Sequence, residues 1–316
     1  MTHAPRPFRV AAVQHAPVFL DCPATIEKAC ALVAEAAREG ARLVVFPECY
    51  VPAYPLWVWH IPAGDTGALR ALYVELLANS VTIPSDATDR LCDAARDAGV
   101  VVAIGVNERN IEASGTSLYN TLLYIGADGR VLGRHRKLVP TAGERLVHAQ
   151  GDGSTLDAFD TELGRLSGLI CWENYMPLAR YALYAWGVEL YVAPTWDRGE
   201  PWLSSMRHVA KEGRVYVVSC GMALRRDDVP DRLAFKEKYL SAGGEWINPG
   251  DSVIVHPDGK ILAGPLQQRQ EILYAELDPE QVHGPRWQLD VAGHYGRPDV
   301  FRLTVDREAR PMVEGG

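Results

Sequence analysis

The stretch Leu118-Tyr119-Asn120-Thr121-Leu122-Leu123-Tyr124-Ile125-Gly126-Ala127-Asp128-Gly129-Arg130-Val131-Leu132-Gly133-Arg134 decides the fold. Its two apolar runs, 118–125 and 130–134, flank Ala127-Asp128-Gly129-Arg130, a glycine-containing turn, and read as a β-hairpin. A second hairpin is predicted from 252–255 and 260–262 around Pro257-Asp258-Gly259. Elsewhere strands and helices alternate. Short apolar runs at 8–13, 43–46, 100–106, 166–170, 190–193, 215–220 and 272–275 predict strands. Helices are predicted at 23–39, 65–79, 86–98, 177–186 and 201–212. In the first of these, Ile26, Ala29, Cys30, Val33 and Ala37 share one face, and Gly40 stops it. Alternation implies an α/β chain, and the hairpins add antiparallel pairs, so the sheet is expected to be mixed. No Pro-, Gly- or Ser-rich linker divides the chain. One domain is therefore expected over 1–316, with its core at about 8–303 and a loose polar tail after Asp306.

The 316 residues are 47% hydrophobic and 23% charged, enough to bury a large core. A net charge of -8 speaks against nucleic acid or an anionic membrane as partner. Six cysteines without a C-x-x-C pair do not make a disulfide framework in so long a chain. Reduced thiols in the cytoplasm are the expectation. The start, Met1-Thr2-His3-Ala4-Pro5-Arg6-Pro7, lacks the apolar segment of a secretory signal. No apolar run reaches the roughly 18 residues of a membrane helix. The nine histidines form no H-E-x-x-H spacing, and no glycine-rich phosphate loop is present. Neither a metal nor a cofactor is expected.

Three polar residues each follow a predicted strand. Glu48 follows Leu43-Val44-Val45-Phe46, Lys137 follows the first hairpin, and Cys171 follows Leu166-Ser167-Gly168-Leu169-Ile170. Ligand sites in α/β folds gather beyond strand ends. A thiol is mostly protonated at neutral pH, so a nucleophilic Cys171 needs a base such as Glu48. An ammonium such as Lys137 stabilises a thiolate and the negative charge developing on a substrate atom. A helix starting soon after Cys171 would add backbone N–H groups. Singly, each residue has an ordinary structural explanation: a core thiol, a helix-entry carboxylate, a solvated lysine.

The surrounding words remove that ambiguity. Phe46-Pro47-Glu48 resembles the glutamate motif of the nitrilase superfamily of carbon–nitrogen hydrolases. His135-Arg136-Lys137-Leu138 with Pro140-Thr141 resembles its lysine motif, and Gly168-Leu169-Ile170-Cys171-Trp172-Glu173-Asn174 its cysteine motif. Cys171-Trp172-Glu173, the segment Glu144-Arg145 with Gly151-Asp152-Gly153, and Gly293-His294-Tyr295-Gly296-Arg297-Pro298-Asp299-Val300 are similar to the true nitrilase branch. Two small departures stand in the glutamate motif, Cys49 where many relatives have Ala and Ala53 where Gly is frequent.

The resemblance implies a four-layer α-β-β-α sandwich with mixed sheets, pairing of two copies, and extension into spirals or helical filaments. It implies a small-molecule nitrile as substrate. Cys171 would attack the nitrile carbon to give a thioimidate, Glu48 would act as general base, and Lys137 with the Trp172 N–H would stabilise the tetrahedral intermediates. Glu144 matches a fourth functional position. Glu173 is expected to accept backbone N–H groups, and His294 is a candidate for ordering the C-terminal segment near the site. Cys49 is a rival nucleophile, disfavoured because the complete nucleophile motif surrounds Cys171. For the pocket, Tyr54, Trp57 and Trp59 are expected on one wall, with Trp57 and Trp59 on the same side if their segment is extended. Trp172, Thr195 and Trp196 are expected opposite. The alternatives are an amidase or carbamoylase using the same trio, a nitrile or cyanide hydratase stopping at the amide, and a catalytically silent scaffold. A papain-like protease would need a His base in place of Glu48 and Lys137.

Overall fold

Phe-Arg-Val-Ala-Ala-Val-Gln at the start of the fold is apolar on both faces of a strand, and such a strand must be covered on both sides. This is β1 (Phe8–Gln14), buried at every position except Arg9. In the computed structural model, which describes residues 7–311, β1 lies inside a six-stranded sheet. There β1, β2 (Ala41–Val45) and β3 (Val101–Arg109) run parallel. The predicted hairpin, β4 (Leu118–Ile125) and β5 (Val131–Arg136), follows antiparallel. A second sheet has β7 (Gly164–Gly168), β8 (Leu190–Thr195) and β9 (Tyr216–Gly221) in parallel. Its antiparallel strands are β6 (Phe159–Thr161), β10 (Ala223–Arg225), β11 (Trp246–Val255) and β12 (Ile261–Gln267). Finally β13 (Glu271–Leu277) returns to the first sheet beside β1.

The side-chain alternation of the strands then builds the layers. Val10, Ala12, Leu43 and Val45 of the first sheet meet Leu166, Leu190, Val192 and Val218 of the second in one apolar seam. Their neighbours Ala11, Val13, Val44 and Val102 point the other way, under α1 (Cys22–Arg38), α2 (Thr66–Ala78) and α3 (Asp86–Ala98). On the far side, α4 (Pro177–Ala185) and α5 (Glu200–Gly213) cover Tyr191, Ala193, Val217 and Val253. The result is the expected α-β-β-α sandwich with two mixed sheets.

Differences from the sequence reading are local. The short elements β6, β10, α6 (Ala234–Leu240) and α7 (Glu280–Gln288) carry too little periodic pattern to be predicted, and α7 contains Pro285. The polar tail is docked through residue 310. Arg307 stacks on Trp186 at 5.0 Å from the ring centroid, and the Arg310 N–H donates to Asp152 at 3.0 Å. The expectations for 1–6 and for the end of the tail lie outside the described residues. Among the described residues, no helix is long and apolar enough to cross a membrane.

One glycine positions the site directly. A Cβ on Gly105 of β3 would lie 2.3 Å from the Pro47 carbonyl oxygen and 2.6 Å from the Cys49 nitrogen. Its bare backbone lets the Glu48 segment lie flat against β3.

Candidate active site

Strand ends from both sheets deliver the charged groups. Glu48 leaves β2, Lys137 ends the hairpin at β5, Cys171 lies just beyond β7, and Trp196 follows β8. Lys137 Nζ donates to Glu48 Oε1 and to Glu144 Oε2, both at 2.8 Å, with all three side chains buried. Glu48 Oε1 also accepts from Asn120 Nδ2 at 2.7 Å, and its Oε2 accepts the Trp196 N–H at 2.8 Å. Three elements therefore fix one carboxylate. Glu144 accepts from the Tyr54 hydroxyl at 2.8 Å and from the Thr141 N–H at 3.0 Å. Trp59 Nε1 donates in turn to the Tyr54 oxygen at 3.0 Å.

Two carboxylates sharing one buried ammonium do not titrate alike. Burial, and then the neighbouring Glu144 charge, raise the Glu48 carboxyl above its ordinary value against the pull of Lys137. Burial acts to raise Glu144 too, but Lys137, with the Thr141 N–H, holds it below the ordinary range. Burial alone would lower Lys137; attraction to Glu48 and Glu144 outweighs it and keeps the ammonium charged.

Cys171 is buried and opens the 3₁₀ turn Cys171–Tyr175 with φ of 53°, a left-handed conformation uncommon for a non-glycine residue. Burial pushes its thiol up, and the Glu48 charge adds to this, while Lys137 and a hydrogen bond with Thr195 act the other way. The resting group is thus a thiol beside a carboxylate of raised proton affinity. That arrangement suits transfer of the proton at the moment of attack.

Cys171 and Glu144 line a cavity of about 470 Å³ whose walls also include Tyr54, Trp59, Trp172, Trp196 and Ile247, with Asp197 and Arg198 among its polar groups. Tyr54 and Trp196 stack with centroids 4.4 Å apart and planes 7° from parallel. Apolar walls with few convergent polar groups are the ordinary make-up of a small-molecule site. Among the described residues, no cluster of three or more His, Cys, Asp or Glu side chains is arranged to hold a metal ion.

Residues 9–285 match the family model described as carbon-nitrogen hydrolase. The chain belongs to the carbon–nitrogen hydrolase family. It is 43% identical over 308 residues to an aliphatic nitrilase of Sinorhizobium fredii (strain HH103), covering 97% of this chain and 98% of the relative. Nitrilase 2 of Arabidopsis thaliana is 41% identical over 313 residues, covering 96% and 90%. The bifunctional nitrilase/nitrile hydratase NIT4B of Nicotiana tabacum is 40% identical, covering 96% and 88%. Among solved structures, a carbon-nitrogen hydrolase from Helicobacter pylori G27 superposes with a TM-score of 0.71 at 20% identity, covering 95% of this chain and 98% of that one. The NitFhit protein of C. elegans gives 0.72 at 20% identity, covering 98% and 69%. These two likenesses carry the fold. Identity near 40% to named nitrilases over nearly the full chain makes this a hydrolase of the nitrilase group.

Within this carbon–nitrogen hydrolase, the structure brings Glu48, Lys137, Glu144 and Cys171 together, with Thr195 beside the thiol and Tyr54, Trp59, Trp172 and Trp196 on the cavity wall. Trp57 is placed elsewhere. The segment Leu56–Trp59 is a 3₁₀ turn and not extended, so Trp57 and Trp59 do not share a side. Trp57 is 0% exposed and packs edge-on to Phe19 and Phe235 in the helix-covered core, whereas Trp59 is 44% exposed. His294 is also away from the site. It is exposed against Tyr295, and no residue of 290–303 lines the cavity. Cys49 is sealed at 0% exposure, and burial pushes its thiol well up.

Sequence reasoning missed Asn120, the buried donor to Glu48; its signal was a lone amide inside the apolar strand β4. It also missed the buried pair His148 and Asn107, 2.8 Å apart behind Glu144. Burial lowers His148 to about 4, which leaves it neutral. Glu173 accepts backbone N–H groups from Leu138 at 2.7 Å and Ile170 at 2.9 Å and faces His135 Nε2 at 3.1 Å.

Proposed function

We propose that this hydrolase converts an organic nitrile and two waters to a carboxylic acid and ammonia through covalent intermediates on Cys171. The observation that carries the reading is the buried unit in which Lys137 joins Glu48 to Glu144 beside the Cys171 thiol, with Glu144 and Cys171 lining an aromatic cavity. As the sulfur bonds to the nitrile carbon, the thiol proton passes to Glu48, which hands it to the nitrile nitrogen to give the thioimidate and is a carboxylate again. Glu48 then removes a proton from water, which adds to the same carbon. Glu48 passes that proton to the nitrogen, the added hydroxyl gives up its own by the same route, the nitrogen leaves as ammonia and a thioester remains. A second water, activated by Glu48, releases the carboxylic acid and returns the proton to Cys171. General acid–base assistance of this kind contributes about 10²–10⁴-fold.

Lys137 stabilises the negative charge that develops at each addition, aided by the Trp172 N–H. Trp172 is the second residue of its 3₁₀ turn, where backbone N–H groups have no acceptor within the turn. Glu144 orients Lys137 and ties it to Tyr54. The raised Glu48 supports the role of base near neutrality.

A panel of aliphatic, aromatic and dinitrile substrates, with acid, amide and ammonia quantified, tests the reading. Acid with stoichiometric ammonia is expected, and Cys171→Ala abolishes it without loss of fold. Amide alone would redirect the assignment to hydration; faster turnover of amides or carbamoyl compounds would redirect it to the amidase alternative. The bifunctional name of one relative makes the amide-to-acid ratio part of the assay.

The protein is further read as a dimer that extends into a spiral or filament. Exposed Leu178, Trp287, Tyr295 and Phe301 support a self-association face, and light scattering on eluting species tests it. Six unpaired cysteines support a reducing compartment, read here as the cytoplasm.

A further inference from the structure

We infer that Glu173 is a positioning residue that sets the separation of Lys137 and Cys171. The two catalytic side chains come from different sheets, so nothing within either sheet fixes one against the other. Glu173 spans that gap. Its Oε1 accepts the N–H of Leu138, the residue after Lys137, at 2.7 Å. Its Oε2 accepts the N–H of Ile170, the residue before Cys171, at 2.9 Å. A single rigid carboxylate therefore bonds to the backbone adjoining both catalytic residues.

The brace is closed on its third side by His135 of β5, whose Nε2 lies 3.2 and 3.1 Å from the two oxygens. The carboxylate is buried, and its donors are all within the protein. The bond to Ile170 also closes the 3₁₀ turn in which Cys171 takes its φ of 53°. Glu173 thus holds both the distance between the loops and the left-handed backbone that aims the thiol. Charge-assisted bonds to backbone N–H groups are short and directional, which suits a spacer.

The inference rests on Cys171 as nucleophile and Lys137 as its partner, not on which carbon–nitrogen bond is cleaved. Its test uses the full chain and two readouts: steady-state nitrile hydrolysis, and the rate at which iodoacetamide alkylates Cys171, localised by peptide mass spectrometry. Glu173→Gln keeps the shape but places an NH₂ against one backbone N–H. Glu173→Asp keeps the charge but is too short to reach both. For each, kcat is expected to fall about 100-fold, as for a misplacement of about 1 Å, with KM changed less than about 3-fold. The alkylation rate of the folded protein should fall in parallel. His135→Leu should lose about 10-fold and His135→Gln, which restores a donor, should recover to within about 3-fold.

A Glu173 variant that only melts earlier, yet keeps wild-type kcat and alkylation rate when folded, overturns the inference. Should neither Glu173 variant fold, wild-type rates in His135→Leu overturn it. Failure of wild-type Cys171 to alkylate, or full activity of Cys171→Ala, would sink the nucleophile assignment and the brace with it. Normal wild-type alkylation with unaffected variants sinks the brace alone.

Discussion

Glu48 and Glu173 are both buried carboxylates in or beside the proposed catalytic set, each held by three donors, and their proton affinities shift in opposite directions. Glu48 is raised by burial and by Glu144, which competes for the same Lys137. Burial acts on Glu173 as well, but His135 and the two backbone N–H groups outweigh it and hold it low. Hydrogen bonding alone therefore does not set a carboxylate's role. A second anion in the cluster raises the proton affinity of one; His135 and backbone N–H groups in its place keep the other ionised.

The largest test of this contrast is Glu48→Gln. Activity should fall about 10³-fold, within the range of general-base losses. Thermal stability at neutral pH should hold or rise, because the raised Glu48 means folding favours the neutral form. Glu173→Gln should lower both. A destabilised Glu48→Gln would erase the distinction. Next in size, Lys137→Met leaves two buried carboxylates without their cation, and denaturant unfolding should show a loss of about 3–5 kcal/mol.

The pH dependence sharpens the contrast further. The acid limb of kcat/KM should lie above the ordinary carboxylate range, where Glu48 loses its charge. An acid limb below that range would remove Glu48 as the base. Stability runs with opposite signs at the two sites. The Glu173 contribution is present above its unfolded value and is lost as pH falls through its depressed folded value. The Glu48 contribution is present below its unfolded value and is lost as pH rises through its raised folded value.

A smaller effect comes from His148, lowered from 6.5 to about 4 by burial. The unfolded chain takes up this proton first, so stability should fall as pH drops across that window, by about 3 kcal/mol in total. His148→Gln should flatten that part of the curve in acid-dependent unfolding. His15, lowered to about 4 by burial and Lys28, titrates in the same window and keeps the remainder of the slope.

Much of this was legible because the informative signals are local. Strands buried on both faces read as continuous apolar runs, and the hairpin turn declared itself through Gly129. Glu48, Lys137 and Cys171 stood at strand ends within recognisable words. What was not legible depends on tertiary packing. Trp57 and Trp59 are two residues apart, and only the turn type decides that one enters the core and the other the cavity. The full length of β12 was hidden by Gly264 and Pro265, which end a pattern without ending the strand. Asn120 gained its meaning only when β4 lay in one sheet with the strand that delivers Glu48, and the donors expected for Glu173 were identified only when the two sheets met.

The contact from Trp59 through Tyr54 to Glu144 and Lys137 has a bearing on how such a protein can change. The cavity wall is not a passive mould. Trp196 repeats the pattern, offering its ring to the cavity and its N–H to Glu48. Remodelling the wall for a wider or narrower substrate therefore disturbs the bonds that hold the charged groups in place. New substrate ranges should be reached more readily through Trp172 and Ile247, which line the cavity without bonding to Glu48, Glu144 or Lys137, than through Tyr54 or Trp196. The architecture divides the lining into positions free to diversify and positions held by the chemistry.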